Sequence, residues 1–599
     1  MWRLCGSFVA LLGLSACHPN VVRPFDAPPT ALRTTAQDRA AVVQQDNLHF
    51  SLLDPGDPAA GYRATHSFRA VITGPSGLEL GRGRVFIPGD GTLVAVRARS
   101  WRPDAPNDVS ELEPYAVSFQ AVTEMAGMLY GSSRVAHFDV PGVQVGDVIE
   151  YETVLEVRGS ASLPPWIFGG SYFTELSSLT VDVPDGQELH SVTLKAGQVA
   201  ELKPSRTVNP GGGERWRWSQ ENLPPSRATS REDPRAITWL SWRTVYPDWD
   251  AVGAWYRTLS EGLDELSESE VPVLVDPTGD PRRDWYDFVR DGVRYLAYYA
   301  EGIDGYRAHA AEDVLRGRFG DCKDMATLLL ALYRHAGVEA YPVLARLDGT
   351  WALAPLPTPA VFNHALVALP RAEGGYLFLD PTDKLGAFGE IRPELVGRKL
   401  FVVRPDGASL MEVPPPAPEE NRSALTWTLE PDGGAHLTAE LSGTEARWVR
   451  AILREWGDVA LAPAVRSHLL GAWPGAEVRA LELAHTQDGL RLEVEVKGPP
   501  AGWSGGDLTV IPLARFFDRA PEDPSVPGLR ETTLELAAVS GESVALPASI
   551  SGEDESLEVE ADGARVVLRH RVRWRTEAAG RAVPRVAREA LVLGAGGRP

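Results

Sequence analysis

Two long stretches in which apolar and polar residues alternate flank one block of helical periodicity, and this distribution limits the chain to few architectures. In the first stretch, residues 148–157 read VIEYETVLEV. In the last, Leu490, Leu492, Val494 and Val496 alternate with charged residues. Such alternation is typical of half-buried, mostly antiparallel strands. The predicted fold class is therefore α+β, with a helix-containing centre between two β-rich domains.

Turns and proline-rich runs divide the chain of 599 residues. At roughly 150 residues per domain, this length holds three or four domains, each large enough to bury its own core. The predicted units are an N-terminal β-rich domain at 46–225, a tryptophan-rich connector with a helix at 226–276, a mixed central domain at 277–404, a proline-rich linker at 405–421 and a C-terminal β-rich domain at 422–599.

The connector contains a cluster of tryptophans, namely Trp239, Trp242, Trp249 and Trp255. They could form a carbohydrate platform. Buried packing between domains is the favoured interpretation, because tryptophan usually contributes a large apolar area to a core.

The first residues are typical of a targeting segment rather than of a folded domain. Residues 1–16 carry one positive charge, at Arg3, followed by an apolar run too short to span a bilayer. The stretch LSAC at 14–17 resembles a bacterial lipobox, which implies lipidation at Cys17 after removal of the signal peptide. Residues 17–45 are then expected to be a flexible tether. The predicted location is the bacterial cell envelope, with His18 favouring the outer membrane facing the periplasm.

Charge and cysteine content exclude several classes of protein. The formal net charge of −22 argues against nucleic acid as a partner, because a phosphate polymer would be repelled. Only three cysteines occur, which excludes a disulfide scaffold and a cysteine-rich metal site. Removal of the signal peptide and lipidation would leave Cys322 as the one free thiol. We expect no cofactor and no metal, since the histidines do not cluster.

Cys322 lies in the sequence GDCKD at 320–324, directly before apolar residues at helical spacing. Gly337 is well placed to end this helix of about four turns. Unpaired amides and the helix dipole at the N-terminus both favour thiolate over thiol. Asp321 and Asp324 are interpreted as helix caps. The pattern indicates a nucleophile mounted on a rigid helix.

Two short apolar strands further along the chain predict a β-hairpin. NHALVAL at 363–369 and YLFLDPT at 376–382 are separated by a glycine-containing loop. If Leu369 opposes Gly375, paired residue numbers sum to 744, and His364 then faces Asp380. Directly opposed side chains have Cβ atoms about 5 Å apart. The hairpin thus predicts a carboxylate beside the imidazole, where it can fix the tautomer and orientation of the ring.

Each of these residues also has a structural interpretation. A histidine before a strand is more often structural than catalytic, and Asp-Pro-Thr is a common turn. His309 and His335 are interpreted as surface or structural residues, and Asp383 as a rival of Asp380 beyond the strand end.

The string GWSGG at 502–506 matches a serine-hydrolase motif but lacks the strand–turn–helix context that this motif needs. The coincidence of thiol, helix start and hairpin favours catalysis.

The segments GDCKD, NHALVAL and YLFLDPT resemble the bacterial transglutaminase-like superfamily. That resemblance implies a papain-related central domain with a Cys-His-Asp triad: Cys322 as nucleophile, His364 as acid and base, and Asp380 as the orienting carboxylate. In this superfamily a β-rich domain of unknown function often precedes the core, and another β-rich domain often follows it.

The predicted function is acyl transfer or hydrolysis at protein or peptide amide bonds by an envelope thiol enzyme. Two alternatives remain open: a cysteine peptidase or amidase of the same fold, and a non-catalytic, lipid-anchored binding or scaffold protein. The expected partners are a protein or peptide substrate, with cell-wall peptide as one candidate, and a membrane bound through the lipid anchor. The residues do not decide between amine and water as the acceptor.

Overall fold

The computed structural model describes most of the chain between Val21 and Ala595. The described residues are 21–25, 40–114, 116–121, 129–131, 134–196, 198–226, 235–274, 277–299, 305–347, 355–429, 434–470, 475–486, 489–497, 503–505, 508–512, 528–537, 542–545, 554–561, 565–574 and 590–595. Their architecture is α+β, with a mixed central region between two β-rich ones.

The N-terminal region is built from strands that pair mostly with their antiparallel neighbours. An eight-stranded sheet has the order β14-β15-β11-β1-β2-β9-β4-β5, and β1 pairs in parallel with β11. Smaller sheets have the orders β10-β16-β12-β13 and β3-β8-β6. The strands are β1 (Ala41–Leu52), β2 (Gly61–Ile72), β3 (Arg82–Ile87), β4 (Gly91–Arg102), β5 (Ala105–Glu111), β6 (Ser118–Ala121), β7 (Leu129–Gly131), β8 (Arg134–Asp139), β9 (Val148–Arg158), β10 (Trp166–Ile167), β11 (Phe173–Val183), β12 (Leu189–Lys195), β13 (Gln198–Ala200), β14 (Ser205–Val208), β15 (Glu214–Leu223) and β16 (Ala236–Trp242).

The tether prediction for residues 17–45 is wrong for two parts of that segment. β1 already begins at Ala41, and Val21 and Val22 are buried in a core with Phe68 and Ile149. Val22 forms an isolated bridge with Val96. The sequence did not predict these contacts, because the segment is mostly polar and contains proline. Two adjacent apolar residues are too few to show the periodicity of a strand or a helix.

The described part of the predicted connector at 226–276, namely residue 226 and residues 235–274, divides between two regions. Trp239 and Trp242 lie on β16, which belongs to a sheet of the N-terminal region, and both are buried. Trp249 begins α1 (Trp249–Ser260), and its ring packs 5.3 Å from the ring of Phe401 in the central region. The tryptophans therefore join the N-terminal and central regions through one continuous core.

The central region places helices against a five-stranded antiparallel sheet of order β22-β21-β20-β23-β24. In addition, β17 pairs in parallel with β19, and β18 with β7 of the N-terminal region. The elements are α2 (Pro281–Gly292), β17 (Arg294–Tyr295), β18 (Ala297–Tyr299), α3 (Ala311–Gly317), β19 (Phe319–Gly320), α4 (Cys322–His335), β20 (Tyr341–Ala345), β21 (His364–Pro370), β22 (Tyr376–Leu379), β23 (Lys399–Arg404) and β24 (Gly407–Glu412).

The linker prediction for 405–421 begins too early. β24 continues the central sheet to Glu412, and Val413 is buried against it. Alternation in β24 is weak because its residues are only half-buried on both faces. The proline-rich segment proper therefore starts at Pro414.

The C-terminal region is again β-rich, with two helices beside its larger sheet. That sheet has the order β27-β28-β26-β25-β31-β34-β33, and a second has the order β29-β30-β35-β32. Its elements are β25 (Arg422–Leu429), β26 (Gly434–Ser442), α5 (Thr444–Trp456), α6 (Leu461–His468), β27 (Glu477–His485), β28 (Gly489–Lys497), β29 (Trp503–Gly505), β30 (Leu508–Pro512), β31 (Gly528–Ala537), β32 (Glu542–Ala545), β33 (Glu555–Ala561), β34 (Arg565–Trp574) and β35 (Ala590–Ala595).

Candidate active site

Cys322 is the first residue of α4, and a reciprocal capping box holds it there. The Asp321 carboxylate accepts hydrogen bonds from the backbone amides of Lys323 (3.1 Å) and Asp324 (3.3 Å). The Asp324 carboxylate accepts one from the Asp321 amide (3.0 Å). A side chain at Gly320 would bring its Cβ to 2.6 Å from the Asp324 Cβ, so only glycine allows this approach. Asp321 and Asp324 are thus caps, as the sequence predicted.

Further charges are buried around this helix start. The Lys323 ammonium contacts the Asp321 carboxylate, and both side chains are buried. The His309 Nδ1 lies 3.1 Å from the Asp324 carboxylate, and this hydrogen bond raises the pKa of His309. His309 therefore has a structural contact here, and His335 is exposed in the last turn of α4. The capping box is locked by ion pairs that the sequence pattern did not reveal.

His364 and Asp380 meet in a buried hydrogen bond. The His364 Nε2–H donates to Oδ2 of Asp380 at 2.9 Å. The same Oδ2 accepts from Nε of Arg392 at 2.5 Å, while Oδ1 accepts from the Thr382 amide (3.0 Å) and hydroxyl (2.7 Å). Burial alone would raise the pKa of Asp380, but these partners hold it far below its usual range. Asp380 is therefore an anion with both oxygens occupied.

The ring of His364 is positioned between this carboxylate and the thiol. Burial lowers its pKa, but the charge of Asp380, the Asp380 hydrogen bond and a side-chain hydrogen bond with Cys322 together raise it to about 10. Because Nε2 is engaged by Asp380, Nδ1 is the nitrogen left to the sulfur. The Cys322 side chain is only half-buried, so a substrate can reach it.

The predicted hairpin register is wrong by two residues. Leu369 opposes Leu377 and not Gly375, so that paired numbers sum to 746 instead of 744. Gly374 and Gly375 have positive φ angles of 97° and 75°, which places both glycines in the loop. The loop is therefore residues 371–375, and the strands pair from Pro370 and Tyr376 onward. A register shift of two residues leaves every side chain on the same face of the sheet. His364 and Asp380 therefore still share one face as diagonal neighbours.

Asp383 is not a rival of Asp380, because the C-terminal region engages it. Arg447 on α5 donates to both oxygens of Asp383, at 2.9 Å and 3.0 Å. One turn further, Arg450 binds Glu390 at 2.7 Å and 2.8 Å and the Leu385 carbonyl oxygen at 2.7 Å. These contacts fasten α5 onto the loop that follows Asp380.

A cleft with a volume of about 710 Å³ opens beside His364 and Thr382. Its wall includes residues 292–296, and Leu296 donates to the carbonyl oxygen of Gly320 at 2.9 Å, two residues before the thiol. A cavity of this size can hold several residues of an extended peptide. Sequence analysis did not predict that Arg392, Thr382 and the arginines of α5 contribute to the site. Only Thr382 lies in a segment, Asp-Pro-Thr, that could have indicated its position beside Asp380.

Several sequence predictions concern residues outside the described part of the chain. The signal segment 1–16 and the lipidation site Cys17 are among them. The competing GWSGG string is only partly described, and β30 follows it as a strand, which disagrees with a nucleophile elbow. Among the described residues, no helix is long and apolar enough to cross a membrane.

Family comparisons match the two regions that carry the site and its N-terminal neighbour. Residues 275–381 match the transglutaminase-like superfamily, and residues 64–227 match DUF3857, a domain of unknown function with known structure. The chain thus contains a transglutaminase-like domain behind a β-rich DUF3857 domain, followed by a β-rich C-terminal region. No curated protein matches the chain.

Solved structures support the same arrangement. A provisionally named protease from Parabacteroides distasonis overlays with a TM-score of 0.55 at 14% identity, covering 93% of this chain and 99% of that one. At that identity the overlay shows the fold alone.

Two weaker overlays carry no argument. A provisionally named cysteine protease from Cytophaga hutchinsonii has a TM-score of 0.16 at 12% identity, covering 40% and 82%. An M1 zinc metallopeptidase from Deinococcus radiodurans has a TM-score of 0.17 at 11% identity, covering 34% and 43%. The family match supports a transglutaminase-like domain at residues 275–381, and the P. distasonis structure supports the fold alone.

Proposed function

We propose that this protein is a thiol enzyme that cleaves protein or peptide amide bonds and passes the acyl group to water or to an amine. The observation that carries the proposal is the hydrogen-bonded series Cys322–His364–Asp380, with an accessible sulfur at a helix N-terminus beside an open cleft. Such a series is the minimal apparatus of nucleophilic amide chemistry.

Because the raised pKa of His364 keeps its ring protonated near neutral pH, the proton is already at Nδ1, and in the first step the Cys322 sulfur attacks the amide carbonyl carbon as a thiolate. Collapse of the tetrahedral intermediate breaks the C–N bond, and His364 returns the proton to the leaving amine. The resulting thioester is then attacked by water or a second amine, which gives its proton to His364. Asp380 remains ionised and holds the ring with Nε2–H fixed.

The Cys322 backbone amide is the natural donor to the oxyanion. The capping box uses the amides of Lys323 and Asp324. The Cys322 amide itself has no hydrogen-bond acceptor among the described residues. An amide at the first position of a helix also carries part of the positive end of the dipole. Both features favour negative charge on the carbonyl oxygen as it forms.

The place of action that we propose is the bacterial cell envelope, with a lipid anchor at Cys17 and the outer membrane as its site. Support comes from the sequence alone: the short apolar segment at 1–16 and the small residues before Cys17. Metabolic labelling with a radioactive fatty acid tests the anchor. A Cys17→Ala form that keeps the label would contradict it.

The function is tested by mass spectrometry on glutamine-containing peptides incubated with the full chain, with and without a primary amine. A new amine adduct indicates a transferase, and a shorter or deamidated peptide indicates a hydrolase. Cys322→Ala should lower turnover at least about 10⁴-fold, because the nucleophile is lost. Asp313→Asn, on the exposed surface of α3, should leave turnover unchanged and is the control.

A substrate-independent measurement guards against the choice of a wrong peptide. Alkylation by iodoacetamide, followed on the Cys322 peptide by mass spectrometry, should be faster in the native protein than in the His364→Gln form. Equal rates in both forms, together with full cellular function of Cys322→Ala, would favour the non-catalytic scaffold.

A further inference from the structure

The cleft beside His364 is strongly cationic, although the whole chain has a formal net charge of −22. Among the described residues that line it, five are lysine or arginine and one is acidic. The acidic residue, Asp291, is itself bound by Arg290 at 2.7 Å. Because low-dielectric walls concentrate the field inside a cleft, this local excess of positive charge acts on whatever enters it.

Three of the five cations have no carboxylate partner among the described residues. They are Arg294 and Arg318, on two neighbouring segments of the central region, and Arg454, on α5 of the C-terminal region. All three are exposed to solvent. By contrast, Arg392 is bound to Asp380, and Arg447 and Arg450 are bound to Asp383 and Glu390. Arg454 thus continues the arginine row of α5 into the cleft without a counter-charge.

Arg318 occupies a backbone position that arginine does not favour. Its φ is +54°, in the left-handed region where a helix usually ends with glycine or asparagine. The guanidinium lies 4.5 Å from the centre of the Phe288 ring, and Arg318 lines the cleft. Strained backbone at a site wall is a recognised mark of function. The backbone conformation favours glycine at this position, so the presence of arginine is explained by its side chain.

The fourth cation, Lys384, is fixed in the cleft wall. Its ammonium donates to the carbonyl oxygen of Val293 at 2.8 Å and also contacts that of Arg290. Burial first, and the charge of Arg454 second, lower the pKa of Lys384 to about 8. A bound anion would favour the charged form of Lys384 and would offset the repulsion between the two cations.

The cationic wall is connected to the nucleophile through His364, which lines the cleft and is hydrogen-bonded to the Cys322 side chain. The Arg294 amide donates to the carbonyl oxygen of Arg318 at 2.9 Å, and the same pair of segments continues to Gly320, two residues before Cys322. A substrate amide at the sulfur would therefore have its neighbouring residues beside these arginines.

From this geometry we infer that the cleft selects acidic peptides, with a carboxylate close to the amide that reacts at Cys322. Arg294, Arg318 and Arg454 are the specificity-determining residues, each offering guanidinium hydrogen bonds to a carboxylate. The inference rests on the proposed function, since it names the substrate class of the same site. It also assigns the C-terminal region a part in substrate recognition, through Arg454.

Two measurements test the inference. Peptides that differ only in Glu or Gln beside a reactive glutamine are compared for kcat/KM with the full chain. The Glu peptide should be preferred at least about tenfold, and the preference should fall with added salt. Binding of the same peptides to the Cys322→Ala form is measured by calorimetry and should show the same preference without turnover.

The variants Arg318→Gly and Arg454→Gln should each reduce the ratio of kcat/KM for the Glu peptide to kcat/KM for the Gln peptide about tenfold, because each removes a guanidinium that would bind the Glu carboxylate. Arg318→Gly is informative because glycine suits the left-handed backbone, so the melting temperature should be unchanged or higher. Arg243→Gln, an exposed arginine of the N-terminal region, is the matched control and should change nothing.

Equal binding and equal turnover of the two peptides would overturn the inference and leave the proposed function intact. Preferred binding of the Glu peptide to Cys322→Ala, with no turnover of any peptide by the native chain, would contradict the proposed function and leave the anionic specificity in place. A preference that persists in both arginine variants would also overturn it.

Discussion

Glu150 and Asp380 are carboxylates in similar surroundings, and only one of them belongs to a candidate active site. Glu150, on β9, accepts hydrogen bonds from Nε and Nη2 of Arg99, at 2.8 Å and 2.6 Å, and contacts Arg69. Both arginines also lie over the ring of Trp101. Asp380 has Arg392 on one side but His364 on the other.

The two partners differ in chemistry more than the two carboxylates do. Arginine stays protonated, so the Glu150 cluster is a fixed charge arrangement that joins three strands of one sheet. Histidine can give and take a proton, and its second nitrogen points at a thiol beside a cleft. A buried ion pair therefore marks a catalytic site only when one member can titrate and can reach a nucleophile.

The sharpest test of this contrast is Asp380→Asn. Both Asp380 oxygens accept two hydrogen bonds, so an amide nitrogen in either place would face donors. The ring of His364 should then lose its tautomer and orientation, and turnover should fall about 1,000-fold. Steady-state kinetics measures the loss, and Asp313→Asn on the surface of α3 is the control. Near-native turnover of Asp380→Asn would show that the carboxylate is structural.

Glu150→Gln should lower the stability of the protein and leave turnover nearly unchanged. It leaves two buried arginines without their counter-charge, so the free energy of unfolding should fall by about 3–5 kcal/mol. Turnover of the folded fraction should stay within about twofold, because Glu150 is not among the described residues that line the cleft. Urea titration and kinetics below the transition measure the two effects. Glu152→Gln, whose partner Arg97 lies 3.8 Å away, is the matched control and should cost less than about 1 kcal/mol.

The smallest expected effect is on the pH dependence of stability. Because the pKa of His364 is raised from 6.5 to about 10 in the folded protein, its contribution is complete below about pH 6.5 and is lost as the pH rises through 10. The stability difference between the native and His364→Gln forms should therefore decrease by about 1–3 kcal/mol between pH 6 and 10. Thermal unfolding across pH measures it. A difference that grows over this range would contradict the assigned sign.

Local patterns were enough to predict the parts of the site that lie within one helix start or one hairpin. The helix start at Cys322, its caps Asp321 and Asp324, and the pairing of His364 with Asp380 each depend on residues at most 16 positions apart. Their periodicities are set by backbone geometry and therefore appear in the sequence. Even the wrong register preserved the contact, because strand faces repeat every two residues.

Tertiary structure alone decided what surrounds those residues. Arg447 reaches Asp383 from 64 positions away, and nothing near either residue marks the other as its partner. The core positions of Val21 and Val22, the role of α1 and the cationic wall at Arg318 and Arg454 have the same origin. The sequence determined a thiol on a helix and an imidazole on a hairpin, since those depend on local backbone repeats. Only the packing of distant elements determined the charge around them and the cleft through which a substrate would arrive.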